Sequence, residues 1–183
     1  MDTNRTVILV PPVRLEGYGV ALREWADADL ADLVALYDDP EMARWTPVAS
    51  PFGLDAARAY LAGAREGQAE GHRVQLAVTT DGTVPRGEVL LFRSGPDEQD
   101  VELAYGVGAA HRGQRLAGRA VRLAAEYAVR EIRPRRVVLR IDAANAASEA
   151  VARSCGFELT DEPPVSRVSR GREAVLRTWR LRA

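Results

Sequence analysis

Apolar positions along this chain fall into two repeating patterns. Alternating or continuous apolar runs at residues 20–24, 73–79, 87–93, 101–107 and 135–141 predict strands. The last of these is rich in β-branched and aliphatic residues and reads as a run buried on both faces, as a parallel or central strand would be. Residues 158–160 and 174–181 predict two more. Helical spacing predicts helices over 27–38, 54–70, 116–132 and 146–154. In the first, Ala28, Leu30, Leu33, Val34 and Tyr37 are available for burial, and Asp39-Pro40 ends it. Ser50-Pro51 introduces the second and Gly71 closes it. Asp81-Gly82 and Gly95-Pro96-Asp97 mark turns, and Pro163-Pro164 through Gly171 reads as a long, arginine-bearing hairpin loop. The order β-α-α-β-β-β-α-β-α-β-β has one parallel crossover between 101 and 141. It predicts an α/β (α+β) sandwich, with a mixed, mostly antiparallel central sheet flanked by about four helices. No repeat, low-complexity tract or linker divides the chain, and 183 residues suit one domain.

The chemistry concentrates in residues 101–157. Period two sets Val101, Leu103, Tyr105 and Val107 on one face of their strand and Glu102, Ala104 and Gly106 on the other. A carboxylate followed by two small residues leaves an open strip, and Gly106 is a place where a strand can bulge and expose its backbone. The turn His111-Arg112-Gly113-Gln114-Arg115-Leu116-Ala117-Gly118 then opens the helix 116–132. Unpaired N–H groups at a helix start, reinforced by the helix dipole, make an anion site. The turn has no Walker lysine and no dinucleotide fingerprint. Leu116, Ala120, Leu123, Ala124, Tyr127 and Ile132 face inward. Arg115, Arg119, Arg122, Glu126, Arg130 and Arg133 form a wet, basic stripe. Most of that stripe needs no role beyond solvation, and Arg112, Arg115 and Arg119 are the members placed for a phosphate. Asn145 precedes the helix 146–154 as an N-cap, with Ser148 at N3.

Three segments carry a family resemblance: Arg112-x-x-Arg115-x-Ala117, Asn145-x-x-Ser148 and Cys155-Gly156-Phe157. Together they resemble the acyl-CoA-binding half of the GNAT N-acetyltransferases. The branch most similar is the one that acetylates ribosomal-protein N-termini, whose phosphate loop reads Arg/Gln-x-x-Gly-x-Gly/Ala. The resemblance implies a V-shaped splay between two parallel strands, opened by a bulge in 101–107, with the pantetheine arm of acetyl-CoA in the gap. It implies phosphate binding by Arg112, Gly113, Gln114, Arg115, Leu116, Ala117 and Gly118, and contacts along the arm from Tyr105, Val107 and Asn145. Backbone N–H near Val107 would polarise the thioester carbonyl, and Ser148 would protonate the departing thiolate. Glu102, on the cofactor-bearing strand, is the general-base candidate, directly or through water; the alternative is a salt-bridged strand carboxylate. Arg44-Trp45-Thr46-Pro47 stands where this branch has an aromatic beside the acceptor groove. Trp45, Phe52 and Tyr60 either line that groove or pack in the core.

Two positions depart from the family. Arg115 replaces the middle glycine of the loop. With a negative φ its side chain would cover the ligand, whereas a positive φ would strain the turn. The tyrosine acid found in part of the family is missing, because that helix reads Val151-Ala152-Arg153, which leaves Ser148 or water.

Composition narrows the rest. All 25 basic residues are arginine, which excludes lysine Schiff-base chemistry. The net charge of −1 conceals 9 arginines against 18 acids in residues 1–111 and 16 against 8 in residues 112–183. The basic half contains the expected phosphate site. The acidic half (Asp27, Asp29, Asp32, Asp38, Asp39, Glu41) either attracts a cationic acceptor or is a solvated face. One cysteine, Cys155, excludes an internal disulfide and fits a reducing cytoplasm; it reads as buried filler. His111 reads as a turn residue. No apolar run approaches the roughly 20 residues of a membrane helix, and Pro11-Pro12 cuts short the apolar segment 6–10, so no secretory signal is expected. The expected protein is a cytoplasmic, acetyl-CoA-dependent N-acetyltransferase acting on a primary amine by direct attack. A protein N-terminus, a small amine or an amino acid would serve as acceptor. No metal is expected, and a homodimer fits the family. The alternatives are a catalytically silent acyl-CoA-binding regulatory domain and, third, a nucleic-acid module, for which no motif or aromatic platform is present.

Overall fold

The chain folds around one twisted sheet whose two faces are covered by different helices. A computed structural model describes residues 14–169 and 171–182; the apolar segment 6–10 lies outside them. The strands are β1 (Arg14–Gly17), β2 (Val20–Glu24), β3 (Arg73–Thr79), β4 (Gly87–Ser94), β5 (Asp100–Val107), β6 (Val137–Asp142), β7 (Phe157–Leu159), β8 (Val165–Ser169) and β9 (Arg172–Leu181). The helices are α1 (Leu30–Tyr37), α2 (Pro40–Trp45), α3 (Leu54–Ala69), α4 (Leu116–Tyr127) and α5 (Ala146–Ser154). The sheet runs β1-β2-β3-β4-β5-β6-β9-β7, with β8 also on β9. Every pairing is antiparallel except β5 with β6.

Alternation along the strands builds the two cores. Val74, Leu76 and Val78 of β3, Val89 and Leu91 of β4, and Val101 and Leu103 of β5 join Leu116, Ala120, Val121 and Ala124 of α4. Three of the four α4 contacts are small or β-branched, so the helix axis sits close to the sheet. On the opposite face, Leu33, Leu36 and Tyr37 of α1, Met42 of α2 and Ala57 and Leu61 of α3 pack with Trp25, Phe52 and Ala77. No helix of the described residues is long and apolar enough to cross a membrane.

Five local features differ from the sequence reading. The first helix begins as a 3₁₀ turn, Asp27–Asp29, before α1. Asp39-Pro40 ends α1 as expected but also opens α2: the Asp39 carboxylate accepts from the N–H groups of Glu41 and Met42, and proline suits the first helical position. The region expected as a loop after Pro163-Pro164 contains β8, which zips onto β9 from Ser169 opposite Arg172 to Val165 opposite Leu176. β6 starts at Val137 rather than 135, because Arg135 and Arg136 are drawn to the buried carboxylate of Asp100 (2.9 and 2.7 Å). Beyond Tyr127, α4 continues through one π-type turn, Ala128–Ile132, ended by Arg133 in the left-handed region.

Candidate active site

β5 and β6 run side by side only at Val101–Val137, Glu102–Val138 and Leu103–Leu139. Beyond those pairs they part, leaving the inner edges of Ala104–Val107 and of Arg140–Asp142 without strand partners on that side. This is the expected V-shaped splay, but its cause differs from the expected bulge. Pairing of β5 with β4 continues without interruption through Gly106 to Val107. Gly106 instead leaves room for Met42, whose flexible end occupies the place a Cβ would take. The opening arises from divergence of two strands, each anchored to its other neighbour.

The mouth of the opening carries the loop 108–115 and the start of α4. Leu116, Ala117 and Gly118 form the first turn of that helix, so their N–H groups have no intrahelical acceptor, and the cap residue Arg115 offers no side-chain bond. Gly113 takes φ +78° with open space where a Cβ would stand. Arg115 adopts φ 57° and ψ 22°, the strained alternative of the two open to it. Its exposed side chain and that of Gln114 make no hydrogen bond among the described residues. Leu116 is buried in the core and contributes backbone only.

Arg112 is held. Its Nη2 lies 2.6 Å from Asp39 Oδ1, and its Nε donates to the Val107 carbonyl at 3.3 Å. Burial raises the proton affinity of Asp39, but Arg112 and the Met42 N–H outweigh it and hold the carboxyl below its ordinary range. This pair ties the loop to α2. Arg119 does not face the loop: it donates to the carbonyls of Tyr18 (2.7 Å) and Gly19, pinning α4 to the β1–β2 turn.

Across the opening, Asn145 caps α5, its Oδ1 accepting from Ser148 N–H at 3.0 Å. The Ser148 carbonyl accepts weakly from Tyr105 Oη at 3.4 Å, so the first turn of α5 meets the free stretch of β5. Burial pushes the Tyr105 phenol up to about 12, so it stays protonated. The Ser148 hydroxyl makes no hydrogen bond among the described residues. Cys155 donates to the Gly118 carbonyl at 3.3 Å, and burial raises its thiol, as befits filler between α4 and α5.

Glu102 occupies the crotch of the splay, 2% exposed. Its oxygens accept from Ser94 Oγ (3.0 Å), Arg140 Nε (3.1 Å) and both Nη atoms of Arg167 (2.8 and 2.6 Å). That is the ion-paired strand carboxylate, and it corrects the general-base assignment, because taking a proton would break contacts with two guanidiniums. Phe52 is also corrected. It is buried against Tyr37 (5.3 Å between centroids) and Tyr60 (6.0 Å) and belongs to the core. Trp45 remains partly exposed on α2, with Arg44 stacked over its ring and its Nε1 on Glu41 at 3.0 Å.

The sequence reading missed Glu88. It lies on the face shared with Glu102 and directly opposite Gly106, and it is fully buried. Four neutral donors surround it: Trp25 Nε1 (2.9 Å), Gln75 Nε2 (3.2 Å), Tyr60 Oη (2.7 Å) and Tyr37 Oη. Burial raises its carboxyl despite those bonds, and it raises both tyrosines as well. The signal was a lone carboxylate inside an apolar run, which period two turns toward the α1–α3 side. A concavity of about 340 Å³ lined by Arg153, Phe157, Glu158 and Trp179 lies at the α5–β7–β9 edge, away from the splay.

A splayed parallel pair with a helix N-terminus at its mouth defines a class of acyl-transferring enzyme. The sequence profile described as the acetyltransferase (GNAT) domain matches residues 20–158, so the chain belongs to the GNAT N-acetyltransferases. Solved structures share the fold. RimL, named as a ribosomal L7/L12 alpha-N-protein acetyltransferase and solved with coenzyme A, aligns with TM-score 0.76 at 16% identity over 91% of this chain and 96% of its own. RimJ of Mycobacterium smegmatis, in complex with CoA-disulfide, gives 0.74 at 18% identity over 91% and 85%. A ribosomal-protein-S5-alanine acetyltransferase from Vibrio fischeri gives 0.72 at 15% over 91% and 96%. No curated protein matches the sequence.

Proposed function

We propose that this protein transfers the acetyl group of acetyl-CoA to a primary amine by direct attack in a ternary complex, without a covalent enzyme intermediate. The observation that carries the reading is the divergence of β5 and β6 after Leu103 and Leu139, with the unpaired N–H groups of Leu116, Ala117 and Gly118 at its mouth. Those donors, Gly113, Gln114 and the exposed guanidinium of Arg115 suit the phosphates. Arg112 shapes the loop from below through Asp39. The free edge of Ala104–Val107 suits the amides of the pantetheine arm, with Tyr105 and the first turn of α5, headed by Asn145, as the facing wall.

Acetyl-CoA supplies an activated thioester, so the protein needs only to orient it, polarise its carbonyl and let the thiolate leave. Backbone N–H on the free stretch near Val107 is the polarising group. The unpaired hydroxyl of Ser148 is the candidate proton donor to the thiolate. Glu102 serves as the anchor for Arg140 and Arg167 rather than as a base. The amine must arrive neutral, losing its proton to solvent. Trp45 stands on the acceptor side.

The test is titration calorimetry with acetyl-CoA, followed by thiol release with a panel of amines. One-to-one binding with amine-dependent thiol release supports the reading. Binding without thiol release would instead identify the silent acyl-CoA-binding domain. Absence of binding would refute both.

A further inference from the structure

Met42 stands over the free stretch of β5. Period two gives Ala104 and Gly106 to the face covered by α1–α3, whereas Tyr105 and Val107 pack against the α4 side. The terminal Sδ and Cε of Met42 occupy the place that a Cβ on Gly106 would take. Exposure along the stretch differs accordingly: Ala104, Tyr105 and Val107 are partly exposed, and Gly106 is buried. Ala104 and its partner Leu90 on β4, with Phe92 beyond, remain partly exposed as an apolar floor on the same face.

The backbone that carries this tip is held from several sides. Met42 is 6% exposed and belongs to the apolar cluster of Leu36, Tyr37 and Phe52. Its N–H donates to Asp39, and its carbonyl accepts from Thr46 Oγ1 at 2.6 Å. Arg112 bonds both Asp39 and the Val107 carbonyl, so α2 is tied to the free stretch itself. Arg172 of β9 donates to the carbonyl of Arg44, further along α2. A thioether is flexible and yields to a single added methyl. It yields less to a longer chain, because α2 is fixed and the core behind it is packed.

We propose that Met42, with Gly106 beneath it, limits the acyl group of the thioester to about the size of acetyl. The inference rests on the acetyl-transfer reading above and names a specificity-determining residue for it. The N–H of Val101 reaches Arg136 on the β6 side and that of Gly108 reaches Arg86 on the β4 side, so alternation turns the Val107 N–H into the opening. From a thioester carbonyl held there, an acyl chain has two faces of the sheet to follow. Toward α4 it meets the packed side chains of Tyr105 and Val107. Toward α1–α3 the strand presents only Ala104 and Gly106, and there the tip of Met42 ends the space. Ala104 and its apolar floor stay open for the approaching amine. Acetyl, with one carbon beyond the carbonyl, stops short of the thioether. Butyryl, two methylenes longer, must displace it.

The experiment titrates CoA, acetyl-CoA, propionyl-CoA and butyryl-CoA into the protein by calorimetry, each acyl affinity being taken relative to CoA. In the wild type, butyryl-CoA should bind roughly 5- to 100-fold more weakly than acetyl-CoA, the span for overfilling a packed site. Met42→Ala should bring the two within about threefold of each other, since the added methylenes then fill the vacated space. Met42→Leu keeps nearly the same volume and loses the terminal reach. It should ease the discrimination by roughly fourfold, the value of one methylene. It also keeps the question answerable if Met42→Ala fails to fold. Amine-dependent thiol release from the same acyl-CoAs should follow the same order. Equal wild-type affinity for acetyl-CoA and butyryl-CoA overturns the inference, as does undiminished discrimination in the folded variants. If CoA itself does not bind the wild type, the acetyl-transfer reading falls and takes the inference with it. Binding of CoA and every acyl-CoA alike removes the inference alone.

Discussion

Replacing Arg115 with glycine should make the protein more stable and its phosphate loop weaker. Arg115 sits at φ 57° and ψ 22°, where a Cβ crowds the following carbonyl at a cost of about 1–2 kcal/mol. Glycine removes that strain but gives the unfolded chain more freedom, which offsets about 0.4–1 kcal/mol. The exposed side chain has no hydrogen bond among the described residues, so nothing else is lost from the folded state. The net gain is about 0.5–1 kcal/mol, or a rise of roughly 1–4 °C in Tm for a chain of this size. Binding should move the other way. If the guanidinium meets a phosphate of acetyl-CoA, removing it costs about 1.5–3 kcal/mol, or roughly 10- to 150-fold in Kd. If it only swings in water nearby, the loss stays below about 1 kcal/mol and vanishes at high salt. Differential scanning calorimetry gives the first quantity, and acetyl-CoA titrations at two salt concentrations give the second. A lower Tm for Arg115→Gly would refute the strain argument. Tighter binding would show that the family glycine, and not the cation, suits the loop.

Three further outcomes follow from the packing. Glu88→Gln can keep its carbonyl oxygen on Trp25 and Gln75 but turns an amide N–H₂ toward the hydroxyls of Tyr37 and Tyr60, which must change from donors to acceptors. It should therefore lower stability by about 1–3 kcal/mol, read as a Tm fall of several degrees. Gly106→Ala displaces the flexible end of Met42 and should cost no more than about 1 kcal/mol; adding Met42→Ala should remove that coupling in the double-mutant cycle, and a fully additive result would contradict the contact. Asp39 has a depressed folded pKa, so its stabilisation is complete above the unfolded carboxylate value near 3.9 and disappears as pH falls through the folded value. The difference in Tm between wild type and Asp39→Asn should therefore shrink as melts are taken from pH 6 toward pH 2, and a constant difference would refute the linkage.

Alternation and helical spacing determined most of the framework, because burying one face of each element is a local requirement. Helix α4, its inward residues, the Asn145 cap and the parallel crossover all follow from runs within about 20 residues, the scale on which periodicity acts. The unpaired N–H groups at the start of α4 were legible for the same reason: a helix start exposes them whatever surrounds it. Charged side chains were not legible in this way, since a carboxylate is defined by partners far along the chain. Glu102 meets Arg140 and Arg167, 38 and 65 residues away, and those contacts turn a candidate base into an anchor. Glu88 found its tyrosines across 28 and 51 residues. Phe52 passed from groove to core because α1 and α3 close over it. The left-handed backbone of Arg115 was set by the turn that joins β5 to α4 and not by the preference of arginine. The sequence by itself determined the elements and the class of chemistry. Only the tertiary structure decided which charges pair, as Glu102 does with Arg140 and Arg167, because electrostatic balance depends on distances in space and not on spacing along the chain.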